Sequence, residues 1–239
     1  MDTIKINKGN VKMIAHRGLS GIEKENTNTA FVAAGNRSYY GIETDVHKTL
    51  DGKYVIIHDS DTIRVGLDCL SIENSTFDTI RGILLTQKNG VKGRTDIRIP
   101  SLQEYLQICK CYEKVCVLEL KGTYTKEQVN EIVGICRHEE YLDSVIFISF
   151  SLQNLQLLRE DHPDLPAQFL TGKFTDDLID ILISNNLDLD IYYESLNEEN
   201  VRLLKEKNII INAWTCDNKE AAEKLVTLGV DFITSNILE

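Results

Sequence analysis

Short apolar runs alternate along the whole chain with stretches in which apolar residues recur every three or four positions. The first kind predicts strands and the second amphipathic helices, and their regular alternation predicts an α/β fold with a parallel sheet. Eight strands are expected, at 11–16, 41–47, 115–121, 145–150, 167–170, 187–193, 209–215 and 230–235. Helices are expected near 27–37, 101–112, 125–138, 151–161, 175–185, 197–207 and 217–228. Ser101, Ser151, Thr175, Asn197 and Asp217 stand where helix-capping residues belong. Eight parallel strands are the number that closes a barrel.

Only the connection after the second strand is long. It carries a hairpin return, a short helical piece near 76–85 and a polar stretch, and reads as an insertion over the barrel mouth at about 60–99. Asp51-Gly52 predicts a two-residue hairpin turn, which would bring His58 opposite Asp45. Little chain follows the eighth strand. The flank left open there is expected to be covered by the N-terminal residues or by a neighbouring subunit in a homo-oligomer. No linker or repeat interrupts the pattern, so residues 1–239 are expected to form a single domain.

Composition adds boundaries to this picture. A net charge of -11 and a pI near 5.0 argue against nucleic-acid binding and against attachment to anionic membranes, both of which need basic surfaces. No apolar run is long enough for a membrane helix, and the first residues lack a signal-peptide pattern, so a cytoplasmic protein is expected. The six cysteines lie mostly in apolar periodic segments without a zinc spacing and read as reduced structural residues.

The candidate chemistry gathers at strand ends. Glu43 and Asp45 are two residues apart, so they share one face of a strand. Side by side they repel, and burial makes both costly unless a cation sits between them. Glu119 and Lys121 repeat the spacing at the end of the third strand. One charged strand tip alone would be solvated; two such tips on neighbouring strands bring three carboxylates to one point. Oxygen-only donors suit Mg2+ or Ca2+. Arg17 and Lys121 would face the same centre, and an anion bridging them to the metal explains cations beside acids. His16 and His58 end apolar runs nearby and can move protons near neutral pH. His138 and His162 are explained by helix ends, and His47 by either the mouth or the hairpin. Neither a serine-hydrolase elbow nor a nucleotide-binding glycine loop is present.

In chain order, HRG, ENT followed by AF, GIETDV, T-x-DG, VIIHD, IPSLQEYL, LELK, NAWT and GVDFITS resemble the glycerophosphodiester phosphodiesterase family, and they span Ile14 to Ser235. The stretch Lys24-Glu25 departs from the proline that usually precedes ENT. The resemblance implies a (β/α)8 TIM barrel and a divalent ion, Mg2+ or Ca2+, on Glu43, Asp45 and Glu119. It implies His16 and His58 as general acid and base, Arg17 and Lys121 on the phosphate, and Asn26 and Trp214 as further substrate contacts. The expected activity is hydrolysis of a small glycerophosphodiester to sn-glycerol 3-phosphate and an alcohol, a step of glycerolipid metabolism. The alternatives are a lysophospholipase D-like or cyclising phosphodiesterase acting on lysolipids, and a silent barrel that binds glycerophosphoryl groups.

Overall fold

The computed structural model describes residues 2–239. In chain order its strands are β1 (Lys12–Ala15), β2 (Gly41–Lys48), β3 (Tyr54–Ile56), β4 (Val115–Leu120), β5 (Val145–Ser149), β6 (Ala167–Thr171), β7 (Asp188–Tyr192), β8 (Ile211–Trp214) and β9 (Phe232–Ser235). All but β3 are parallel neighbours in the order β1-β9-β8-β7-β6-β5-β4-β2, and β1 also pairs with β2, so the sheet closes into the expected eight-stranded TIM barrel. Each expected strand is present: β2 and β6 run one residue further than expected, and the others are shortened by a residue or two at their ends.

Strands buried on both sides explain the continuous apolar runs. Alternate residues supply two separate cores. Ile14, Val117, Ile148, Leu170 and Phe232 pack together as one cluster, while Met13, Ile42, Leu118, Phe147 and Ile233 belong to the larger one that includes the helix residues. The helix Leu102–Cys111 shows how the outer layer is pinned to the sheet. A capping box of Ser101 and Glu104 starts it, and the Tyr105 hydroxyl donates to the Ile42 carbonyl of β2 (2.6 Å). The Tyr105 ring also meets Phe31 edge-on at 5.1 Å.

Ser151 and Asn197 cap their helices as expected. Thr175 and Asp217 do not. Thr175 donates to Asp177, and that helix begins at Leu178; Asn218 caps the helix Lys219–Leu228, while Asp217 accepts hydrogen bonds from Ser235 and Asn236. A side chain that can reach a tertiary donor is released from the local helix end.

The hairpin differs from its expected register. Thr49 N donates to the Lys53 carbonyl (2.8 Å), so the loop is Leu50-Asp51-Gly52, one residue longer than a two-residue turn, with Gly52 at φ +75. Val46 therefore pairs with Ile56, and Ile57, not His58, faces Asp45 and donates to its carbonyl (3.0 Å). Residues after β3 form the insertion, with short helices Ile63–Gly66 and Phe77–Gly82. Its apolar residues, scattered in sequence, close into their own buried cluster around Val65, Ile72, Ile80 and Ile97 against Val55 and Ile57. Lys24 donates to Thr86 (3.0 Å) and Arg94 pairs with Glu23 (2.9 Å), so the insertion is fastened to the loop after β1.

Ile4 and Ile6 run beside residues 237–239 through backbone hydrogen bonds, and Ile6 packs on the outer core. The N-terminal residues thus cover the flank beyond β9. All six cysteines are free, four buried and two exposed. Among the described residues no helix is long and apolar enough to cross a membrane.

Candidate active site

Glu43 and Asp45 point into one end of the barrel from β2, and Glu119 joins them from β4, where the strand register sets it beside Asp45. One oxygen from each of the three carboxyl groups lies within 4.8 Å of the others, and all three residues are buried. Burial first, then the Asp45 charge, pushes Glu119 up to about 7 and Glu43 well above the usual carboxylate range. For Asp45, burial is outweighed by Arg17, His58 and Lys121, which hold it at about 2. Asp45 Oδ1 is buried without a hydrogen-bond partner. Crowded hard oxygens, one of them unpartnered, fit a divalent cation of the Mg2+ or Ca2+ type.

Two cations enter this acidic cluster. Lys121 Nζ lies 2.9 Å from Glu119 Oε1 and 3.6 Å from Asp45 Oδ1. Arg17 Nε lies 3.4 Å from Asp45 Oδ2, and the Arg17 backbone N–H donates to Glu43 (2.9 Å). The loop carrying Arg17 is held tightly. Arg17 and Asn26 both sit in the left-handed region (φ 53 each), tied by Asn26 N donating to the Arg17 carbonyl (2.9 Å). The glycine of HRG is needed there: Gly18 has φ +76, and a Cβ on it would meet the Ala30 backbone at 2.7 Å.

His16 and His58 line the same cavity, about 260 Å³ in volume, together with Arg17, Glu43 and Glu119. Asn236 Nδ2 must donate to the Asp217 carboxylate (2.6 Å), so its Oδ1 accepts from His16 Nδ1 (2.8 Å). Nε2 of His16 is thereby left without the proton, 3.9 Å from Glu43 Oε2. Burial, then Arg17, pulls His16 down to about 4. His58 arrives past the end of β3 rather than across the hairpin, and its Nδ1 is 2.6 Å from Asp59 Oδ1. His47 is buried, its Nε2 3.1 Å from the His58 carbonyl, so it supports the turn carrying His58.

Arg64 of the insertion links the two histidine-bearing loops. It grips Asp59 (2.7 and 3.2 Å) and Glu25 (2.7 and 2.9 Å) with its guanidinium, and Glu25 in turn holds Arg17 (2.9 Å). Single polar or charged residues at such positions carry no pattern of their own, which is why Glu25, Asp59, Arg64 and Asn236 escape the sequence reading and Asp217 enters it only as a helix cap. Asn26 does not line the cavity. Its Nδ2 donates to Asp45 Oδ2 (2.7 Å) and its Oδ1 accepts from Thr44 (2.7 Å), so both ends of the amide are engaged inside the protein. Trp214 does line the cavity, edge-on to Phe150 at 5.6 Å and 5.8 Å from Tyr192.

Residues 16–238 match the model of the glycerophosphoryl diester phosphodiesterase family. A glycerophosphodiester phosphodiesterase of Caldanaerobacter subterraneus is 28% identical over 230 residues, covering 94% of this chain and 93% of that protein. One from Bacillus altitudinis is 27% identical, with 93% of each chain covered. Among solved structures, a phosphodiesterase of Oleispira antarctica in complex with the product sn-glycerol-3-phosphate superposes with a TM-score of 0.89, at 22% identity over 98% of this chain and 96% of that one.

Proposed function

The chain belongs to the glycerophosphoryl diester phosphodiesterase family, and on that premise we propose that it hydrolyses small glycerophosphodiesters to sn-glycerol 3-phosphate and an alcohol, with a divalent ion and two histidines. One observation carries the reading: Glu43, Glu119, Arg17 and both imidazoles line a single cavity, and Asp45 and Lys121 are tied into the same buried charge cluster. The product named in the Oleispira antarctica complex supports the substrate class. Glu43, Asp45 and Glu119 would hold Mg2+ or Ca2+, which when bound polarises a phosphoryl oxygen and neutralises charge. Arg17 and Lys121 offer guanidinium and ammonium donors to the remaining phosphoryl oxygens.

His16 and His58 divide the proton transfers. The bare Nε2 of His16 accepts the proton of the attacking hydroxyl as its oxygen bonds to phosphorus. His58 donates a proton to the alcohol oxygen as its bond to phosphorus breaks, with Asp59 supplying the counter-charge for the protonated ring. Asn26 orients Asp45 from behind. We further propose that the chain works as one domain, because Arg64 of the insertion holds both Glu25 and Asp59.

Two measurements test this reading. Product analysis should find sn-glycerol 3-phosphate released from glycerophosphocholine or glycerophosphoethanolamine, lost in excess EDTA and restored by Mg2+ or Ca2+. Full turnover in the chelator rejects the metal, and binding without turnover rejects the enzyme. Arg64→Ala should lower kcat about tenfold by loosening two loops at once, since small misplacements of reacting groups are costly. Arg64→Lys should recover little, because one ammonium cannot replace two forked contacts. Unchanged kinetics in both variants would make the clasp merely structural.

A further inference from the structure

Part of the cavity lining is left unused by the proton transfers. Asp190 of β7 lies there, registered between Leu170 on β6 and Asn212 on β8. It lines the cavity together with Ile148, Leu170, Trp214 and Thr234. Only 2% of it is exposed, and its Oδ1 has no hydrogen-bond partner. Trp214 Nε1, on another lining residue, is likewise buried and unpartnered. Buried polar atoms are nearly always satisfied within a folded protein, so two orphans on one cavity wall call for a partner from outside.

The surroundings restrict what that partner can be. Apolar walls with one or two polar atoms select a small organic moiety that brings its own hydrogen-bonding groups. The charged lining residues take the phosphate, so the apolar ones are left for one of the two groups esterified to it. Glycerol is common to every glycerophosphodiester and has a fixed size, whereas the other alcohol varies. Its hydroxyls both donate and accept. Burial, then the Glu119 charge, keeps the Asp190 carboxyl well above the usual carboxylate range, which leaves it a proton to donate.

We propose that Asp190 is a specificity-determining residue that hydrogen-bonds a hydroxyl of the substrate's glycerol moiety in the cavity. The assignment rests on the hydrolase reading above. Steady-state kinetics of wild type, Asp190→Leu and Asp190→Asn would be measured on glycerophosphocholine, glycerophosphoethanolamine and the glycerol-free diester bis(p-nitrophenyl) phosphate. For Asp190→Leu, the ratio of kcat/KM on either glycerophosphodiester to kcat/KM on the glycerol-free diester should fall roughly 10²-fold, equally for both, and mainly through KM. Asp190→Asn, which keeps a polar partner, should recover most of that ratio. An unchanged ratio overturns the proposal, whether activity is lost evenly or kept. So does a loss confined to one glycerophosphodiester, which would place the variable alcohol at Asp190. A wild-type enzyme that cleaves only the glycerol-free diester overturns the activity itself along with the assignment, a result distinct from the others.

Discussion

Replacing His16 by alanine should lower kcat by roughly 10²- to 10⁴-fold on glycerophosphodiesters, the range lost with a positioned proton-transfer group. His58→Ala should lose a similar factor, but the two variants should part on a second substrate. His58 is assigned to the leaving alcohol, and p-nitrophenolate departs without needing a proton. On bis(p-nitrophenyl) phosphate, His58→Ala should therefore regain most of its rate while His16→Ala remains impaired. The assignment rests on hydrogen-bond direction: the Asn236 amide can only accept from His16 Nδ1, and a carboxylate backs His58. Recovery by His16→Ala in place of His58→Ala would reverse the roles, and near-normal turnover in both would remove the histidines from the mechanism.

The second large effect concerns the acids. Glu43→Gln should weaken divalent-ion binding, measured by calorimetry, roughly 10²-fold or more, since even outer-shell changes around a bound metal cost 10- to 100-fold. In chelator-treated protein the same class of substitution should stabilise. Three carboxyl oxygens within 4.8 Å repel when ionised, and removing one relieves the rest. Glu119 gives the pH dependence. Its folded value is raised from 4.5 to about 7, so the folded state holds its proton more tightly than the unfolded chain does. The stability this contributes is full below 4.5 and lost as pH rises through about 7. Glu119→Gln should therefore melt higher than wild type above neutrality, by a few degrees for a chain of this size, with the gap closing below pH 4.5. The ion pair with Lys121 sets a limit on the gain. A gap that is absent at pH 8, or that widens in acid, would contradict the crowding of the acids.

The chain's alternating apolar pattern carries nearly all of the barrel, because each strand and helix is coded within a few consecutive residues. Glu43 and Asp45 share a face for the same local reason: a two-residue spacing on a strand leaves no other choice. Glu119 could be added because the same spacing recurs on the neighbouring strand. The hairpin marks where such reasoning stops. A favoured Asp-Gly pair did not set the loop length: Asp51 accepts from the Thr49 hydroxyl (2.7 Å) and from Phe77 N (2.9 Å), contacts that suit a three-residue loop. The shift of one residue put Ile57 opposite Asp45, where it joins the insertion's core, and sent His58 to the cavity by a different path.

What tertiary structure alone decided is the set of partners. Asn26 turns inward onto Asp45 and Thr44, Asp217 leaves a helix end for Asn236, and Arg64 reaches back to Glu25 across 39 positions of sequence. Asp190, one of two acids on β7, gains meaning only from the cavity it lines. Periodicity is a property of neighbouring residues and survives in the linear chain. A hydrogen bond between distant side chains depends on how whole elements pack, and no local pattern encodes it.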